Sequence, residues 1–333
     1  MRATTYAYAI GRIRALELKL ITLDRLERMA NAKDAREALR ILAETDYGSK
    51  VSELASPHDY ENMLESELRE VYDFINTVTP DEAITDLFFI KHDIHNIKVL
   101  LKSKALEVEE PNFLSGLGIV PLDVIKEALD SEEKGLYNAL PSFIADALKD
   151  IENMTADPQY IDIALDRAMY GYILNTASKR RQIFVEEFFR RQVDMLNIRS
   201  LLRAKAMGED FIFAKKLFMP YGSIDENVLA EAYELSYDSL AKHFSSTIYY
   251  DVIDRGIRDF QQNGTFAEFE RLLENFLLDY VSVGKWELMG IQPIMGYILA
   301  KENEIAAIRL IMVGKINNIP AEKIRERLRD TYV

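Results

Sequence analysis

Apolar residues recur at three- and four-residue steps along most of this chain, the spacing that lines one face of an α-helix. Ile13, Leu16, Leu20, Leu23 and Leu26 step this way among Arg12, Lys19, Arg25 and Arg28, which predicts one amphipathic helix over residues 5–30. DAREALRILAET (34–45) predicts a second, stopped at Asp46-Tyr47-Gly48 with Gly48 as a left-handed cap. SPHDYENMLESELREVYDFINTV (56–78) has helical spacing again. Thr79-Pro80-Asp81-Glu82 then supplies a start signal, with Thr79 as the cap, Pro80 at the first helical position and Glu82 as the capping-box acid. One helix is predicted from there to about Ala105, its apolar stripe running through Leu87, Ile90, Ile94, Ile97 and Leu101.

The end of that helix recurs. DIHNIKVLLKSK (93–104) aligns without gaps to DMLNIRSLLRAK (194–205) and more loosely to EIAAIRLIMVGK (304–315). The polar positions keep step as well as the apolar ones: Asp93, Asp194, Glu304; Lys98, Arg199, Arg309; Lys104, Lys205, Lys315. The preceding helix repeats too, as YENMLESEL (60–68), IDIALDRAM (161–169) and FERLLENFL (269–277). Tyr60 pairs with Ile161 and Asp93 with Asp194 at one common offset, so the match covers a two-helix unit; from the second copy to the third a short insertion separates the helices. The prediction is an all-α chain of three similar helical lobes, 1–110, 111–217 and 218–333. Candidate boundaries are the Pro- and Gly-bearing loops at 107–123 and 218–227. Three such lobes can close about a pseudo-threefold axis or string out in line, and spacing alone prefers neither.

Composition narrows the function. With 14 Gly and 9 Pro in 333 residues, turn formers are scarce and long helices favoured. A net charge of −14 argues against a general nucleic-acid binder or adsorption on anionic lipid and reads as a solvated acidic surface. The absence of Cys excludes disulfides, thiol nucleophiles and thiolate metal sites, and fits a reducing cytoplasm. MRATTYAYAIGRIRALELK lacks the unbroken apolar core of a signal peptide, and WELMGIQPIMGYILAK is cut by Glu287, Gln292 and Pro293, so no membrane span is expected.

The chemical motifs are weak. His92 and His95, three apart on a helix with Asp93 between them, have a spacing that can ligate a metal, yet neither histidine recurs in the other copies, and a helix-surface pair is the simpler reading. Gly284-Lys285 and Gly314-Lys315 lack the rest of a phosphate loop. The recurring acid lies at the edge of the apolar stripe, where it needs a helix or subunit partner. The recurring Lys at 104, 205 and 315 fits the dipole at a helix end, whereas Lys98, Arg199 and Arg309 sit further inside and read as surface pairs or contacts with an acidic partner. The lone Trp286 is expected to be a packing anchor. From the residues alone two functional readings compete: a general helical-repeat scaffold, and a metal enzyme built on His92, Asp93 and His95.

YAYAIGRIRALE (6–17), the two D-x-x-N segments at 93 and 194, and ENEIAAIRLIMVGKINNIPAEKIRERLRDTYV (302–333) together resemble the C subunit of the archaeal and bacterial A/V-type rotary ATPases, called the d subunit in the eukaryotic vacuolar enzyme. The resemblance is spread over the full length, and Ala307 is a departure where the other copies have Asn96 and Asn197. It implies a non-catalytic, all-helical funnel with three lobes about a pseudo-threefold axis and no cofactor. It also implies a place on the cytoplasmic face of the membrane, receiving the central-shaft subunits D and F on one side and the membrane proteolipid ring on the other, and passing torque between them. Asp93, Asn96, Lys98, Lys102, Asp194, Asn197, Arg199, Arg203, Glu304 and Arg309 are the candidate partner-interface residues; no catalytic, metal or nucleic-acid contact is expected.

Overall fold

The computed structural model describes residues 2–106, 114–130, 136–152 and 158–333, and its regular elements among them are α-helices and three short 3-10 turns. The first seven residues of the predicted boundary loop at 107–123 lie outside the described residues. The chain forms two compact units, one contiguous (Asp81–Glu234), the other assembled from the residues through Pro80 and from Leu235–Val333.

The contiguous unit holds α6 (Glu82–Ala105), α7 (Leu122–Asp130), α8 (Ser142–Glu152), α9 (Pro158–Lys179), α10 (Ile183–Met207), α11 (Phe211–Leu217) and α12 (Glu226–Glu234). Helix α9 packs against α6, α8 and α10. The starts of α6 and α10 meet through aromatic rings, with Phe88 5.3 Å from Phe189 and 6.4 Å from Phe188 between centroids. That cluster anchors the two helices that carry the D-x-x-N segments.

The discontinuous unit is built on α16 (Gln292–Ile316), buried on nearly every face from Pro293 to Gly314. Around it pack α1 (Arg2–Glu17), α2 (Leu23–Asn31), α3 (Ala35–Leu42), α5 (Tyr60–Val78) and α15 (Ala267–Ser282). A helix buried over most of its surface needs such a jacket. The remaining helices of this unit are α4 (Gly48–Ser52), α13 (Tyr237–His243), α14 (Tyr250–Asn263) and α17 (Ala321–Arg325). Helices α14 and α15 approach closely because Gly256 faces the Phe269 ring, where a Cβ would stand 2.5 Å from a ring carbon. The C-terminal tail returns to this core and buries Leu328 and Tyr332.

Local structure departs from the sequence reading in three places. Residues 5–30 are two helices, α1 and α2, separated by a turn at Leu18–Thr22 in which Leu18 is exposed. Gly48 is no left-handed cap: α3 ends at Leu42, and Gly48 opens α4 at a point where a Cβ would lie 2.6 Å from the Ala43 carbonyl oxygen. Thr79 ends α5, its N–H bonded to the Ile75 carbonyl, and does not cap α6. Preceding a proline, Thr79 is pushed out of the helical region to ψ 136°. Asp81 occupies the cap position of α6 but accepts from Arg180 at 2.9 Å and 3.1 Å instead of from the helix.

Candidate partner interface and its internal supports

Asp93, Asn96, Asp194, Asn197 and Glu304, five of the ten residues singled out as candidate partner contacts, are buried. Their side chains hold loops of their own chain. On α6, the Asp93 carboxylate accepts the backbone N–H groups of Ile119 at 3.0 Å and Val120 at 3.1 Å. One turn on, Asn96 exchanges two bonds with Ser115, donating from Nδ2 to its carbonyl at 2.7 Å and accepting its N–H at 2.8 Å. Gly118 passes so close that a Cβ there would lie 1.9 Å from Asp93 Oδ1.

The second copy repeats the device. Asp194 on α10 accepts from the N–H of Ile224 at 3.0 Å and from the Ser223 hydroxyl. Asn197 exchanges the same two bonds with Met219, at 2.9 Å and 2.7 Å, and a Cβ on Gly222 would stand 2.2 Å from Asp194 Oδ1. In the third copy Glu304 on α16 accepts the N–H of Ile21 at 2.5 Å. Val120, Ile224 and Ile21 each lie two residues before a short helix: α7, α12 and α2. Hydrogen bonds to a charged acceptor contribute about 1.5–3 kcal/mol each, so each carboxylate fixes the entry of one helix. The turn that splits residues 5–30 is the segment Glu304 holds.

The third copy has no amide, since Ala307 fills the position of Asn96 and Asn197 and is buried. Its clamp is braced differently. Glu304 Oε1 accepts from the Tyr47 hydroxyl and from Lys301 Nζ, both at 2.8 Å. Lys301 also reaches Glu67 at 2.7 Å, and Lys50 meets the other Glu67 oxygen at 2.5 Å. Lys301 lies 4.7 Å from the centre of the Tyr47 ring. Burial alone would lower the Lys301 pKa, but the charges of Glu304 and Glu67 reverse this and hold it well above the ordinary lysine value. Burial would raise Glu67, and the Lys301 charge with the hydrogen bonds from both lysines keeps it below the usual carboxylate value.

Among the described residues no cation pairs with Asp93 in this way. Desolvation pushes its carboxyl up to about 6, against the lowering effect of the Val120 and Ile119 N–H groups, with the Asp86 charge adding to the rise. His92 is not the surface residue expected: it is half-buried with Nδ1 3.2 Å from the Ser115 hydroxyl, and burial, then the Lys91 and His95 charges, push it down to about 3. His95 is exposed. Among the described residues no group of three or more His, Asp or Glu is placed to hold a metal ion.

The basic positions face neighbouring helices. Lys98 meets Asp166 at 2.6 Å, and Lys102 meets Asp162 at 2.6 Å, both on α9. Arg309 grips Glu61 on α5 through both nitrogens, Nε and Nη2, the nearest contact 2.5 Å. Lys98, the position aligned with Arg309, also lies 3.9 Å from Asp162, the position aligned with Glu61, so that pairing recurs at longer range. Arg199 is half-buried with its charge near Tyr170, and Arg203 is exposed. Lys104 and Lys205 lie in the last turns of their own helices, as expected, and also reach neighbouring ones. They donate to the carbonyls of Leu129 at 3.1 Å and Tyr233 at 2.6 Å, in the last turns of α7 and α12, where a cation complements the dipole of the neighbouring helix.

Sequence reading missed the Glu67–Lys301–Lys50 cluster, which carries no local signal. It also missed a repeated turn: Thr45 and Thr247 each donate a hydroxyl to the carbonyl three residues back and accept the N–H of a buried tyrosine two residues on, Tyr47 and Tyr249. The T-x-Y spacing is a usable sign of it. Trp286 is 85% exposed and is no packing anchor.

Among the described residues the recurring polar side chains tie each of three long helices to a following or preceding short one and so stiffen the chain from within. Residues 9–327 match the model of the ATP synthase (C/AC39) subunit family, and the chain belongs to that family. It is similar to the C subunit of the A-type ATP synthase of Methanocaldococcus jannaschii, with 27% identity covering 97% of this chain and 86% of the relative. It is also similar to the C subunit of the V-type sodium ATPase of Enterococcus hirae, at 23% identity over 96% and 97% of the two chains. The corresponding C subunit of the A-type ATP synthase of Desulfurococcus sp. is 25% identical over 97% and 90%.

Proposed function

We propose that this chain is the non-catalytic rotor subunit that joins the central shaft, subunits D and F, to the membrane proteolipid ring and passes torque between them. The observation that carries this reading is the carboxylate clamp: each long helix, α6, α10 and α16, fixes the entry of a short helix, and the third fixes the entry of α2 near the start of the chain. A torque coupler needs such stiffness. It also needs no cofactor. The reading includes three lobes at 1–110, 111–217 and 218–333 about a pseudo-threefold axis, on the cytoplasmic face of the membrane. Among the described residues no helix is long and apolar enough to cross a membrane, which fits a peripheral place in the complex.

Of the ten candidate interface residues, the basic ones are those available to partners, because a surface ion pair contributes only ~0–1 kcal/mol and exchanges its acid readily. The test is gentle solubilisation of membranes followed by purification through this chain. ATP synthase subunits, including the shaft, are expected to accompany it, and Arg199→Glu, with helix content checked by circular dichroism, is expected to weaken shaft binding or uncouple ATP hydrolysis from ion transport. Recovery of the chain free of every other ATP synthase subunit would overturn the reading in favour of an unrelated helical scaffold.

A further inference from the structure

The connections between the paired long helices are unequal. Residues 79–81 join α5 to α6 and residues 180–182 join α9 to α10, but α15 and α16 are joined by residues 283–291. This longer connection opens with a 3-10 turn, Val283–Trp286, and carries four exposed apolar side chains: Val283, Trp286, Leu288 and Met289, with Trp286 85% and Leu288 79% exposed. Tryptophan is among the more buried residues on average, and a cluster of this kind on a surface marks a contact.

The tip is held rigidly. Arg14 on α1 donates from Nη2 to the carbonyls of Gly284 at 2.8 Å and Glu287 at 3.0 Å, so one guanidinium bridges both ends of the turn. Its Nη1 is fixed in turn by Glu17, at 2.7 Å and 2.9 Å. Gly284 lies against α16, where a Cβ would be 2.6 Å from the Gln292 carbonyl oxygen, and Lys285 sits 4.4 Å from the centre of the Tyr332 ring. Gly290, at φ +93°, turns the chain back into α16, and Ile291 is buried. Pre-organisation of this sort lowers the ordering cost of binding.

Charge selects the occupant. The tip carries Lys285 and Glu287 and no net charge, on a chain of −14. Anionic lipid headgroups require a basic surplus that this turn lacks, and two copies of so acidic a chain repel each other. We infer that Trp286, Leu288 and Met289 form a docking finger that enters an apolar pocket, without excess negative charge, on a neighbouring protein subunit of the complex. A Trp seated in such a pocket is the usual energetic centre of an interface. This rests on the rotor reading above. Because one connection of the three carries the finger, it gives the subunit a single seating on a partner that three equivalent helices would leave ambiguous.

The test replaces Trp286 with photoreactive benzoylphenylalanine in the full chain, irradiates the assembled complex in native membranes, and identifies the adducts by mass spectrometry. An adduct to an apolar stretch of another ATP synthase subunit is expected. Trp286→Ala with Leu288→Ser is expected to lower retention of the chain on the complex on the order of tenfold or more, with Arg14→Gln, which frees the turn but keeps its apolar residues, giving a smaller loss. Adducts confined to lipid or to a second copy of this chain, or full retention of the double variant, would overturn the finger while leaving the rotor reading standing. Failure of the unaltered chain to purify with the complex would remove both.

Discussion

Glu304 on α16 accepts the backbone N–H of Ile21 at 2.5 Å, a contact between residues 283 positions apart. The same carboxylate accepts from the Tyr47 hydroxyl and is one of two that hold Lys301. Glu304→Ala therefore leaves a buried ammonium half-compensated and two donors deprived of this acceptor, and is expected to destabilise the protein by about 3–5 kcal/mol. Glu304→Gln retains an acceptor and is expected to cost less. Urea unfolding of the three proteins checks the order; equal midpoints would show that the clamp contributes nothing.

Lys301 and Arg309 contrast two ion pairs on one helix. Lys301→Met leaves Glu67 and Glu304 buried without their shared cation, an expected loss of about 3–5 kcal/mol. Arg309→Met breaks a pair that is nearly half exposed on both sides and is expected to change stability by about 1 kcal/mol or less. Thermal unfolding at neutral pH separates the two, and similar losses would contradict the burial argument.

Asp93 predicts a pH signature. With a folded pKa of about 6 against an ordinary value of 3.8, the folded state binds this proton more tightly than the unfolded state. The resulting contribution is fully present below pH ~4 and is lost as pH rises through about 6, an effect of roughly 2–3 kcal/mol. Asp93→Asn lacks the titration, so the stability of the wild type relative to this variant is expected to fall between about pH 4 and 6.5. Denaturant midpoints measured across that range supply the comparison, and a flat difference would contradict it.

Glycines give a steric test. Gly118→Ala and Gly222→Ala drive a methyl into the carboxylates of Asp93 and Asp194 and are expected to cost about 1–3 kcal/mol each. Gly11, inside α1 with open space where a Cβ would be, is the control: Gly11→Ala is expected to stabilise by roughly 0.5–1 kcal/mol through helix propensity. Calorimetric midpoints should move in opposite directions.

Much of the fold is legible because helical periodicity is a local signal. Of the predicted stripe Leu87, Ile90, Ile94 and Ile97 are buried and Leu101, at its end, is half-buried, and the repeat alone points to the acids and amides at 93, 96, 194, 197 and 304. What these residues do is not legible. The residues through which the acids fix the helix entries, Val120, Ile224 and Ile21, contribute only backbone N–H groups, which every residue but proline possesses and no composition marks. The split at Leu18–Thr22 escapes periodicity for the same reason, since the cause of the break lies on α16. The capping pattern at Thr79 also suits the end of α5, and the following proline decides for the end. Burial is the usual fate of tryptophan, and nothing in VGKWELMG distinguishes the presented side chain of Trp286 from a packed one.

The two compact units also differ in how the ribosome delivers them. Asp81–Glu234 is contiguous, and its clamps join residues only 26 to 30 apart, so it can condense as soon as that stretch has emerged. The other unit cannot. Helices α1 to α5 are made before the contiguous unit, yet their central packing partner α16 is made after it, and the turn before α2 waits for Glu304. Nascent chains arrested before residue 304 should therefore hold a protease-resistant middle flanked by an unprotected beginning.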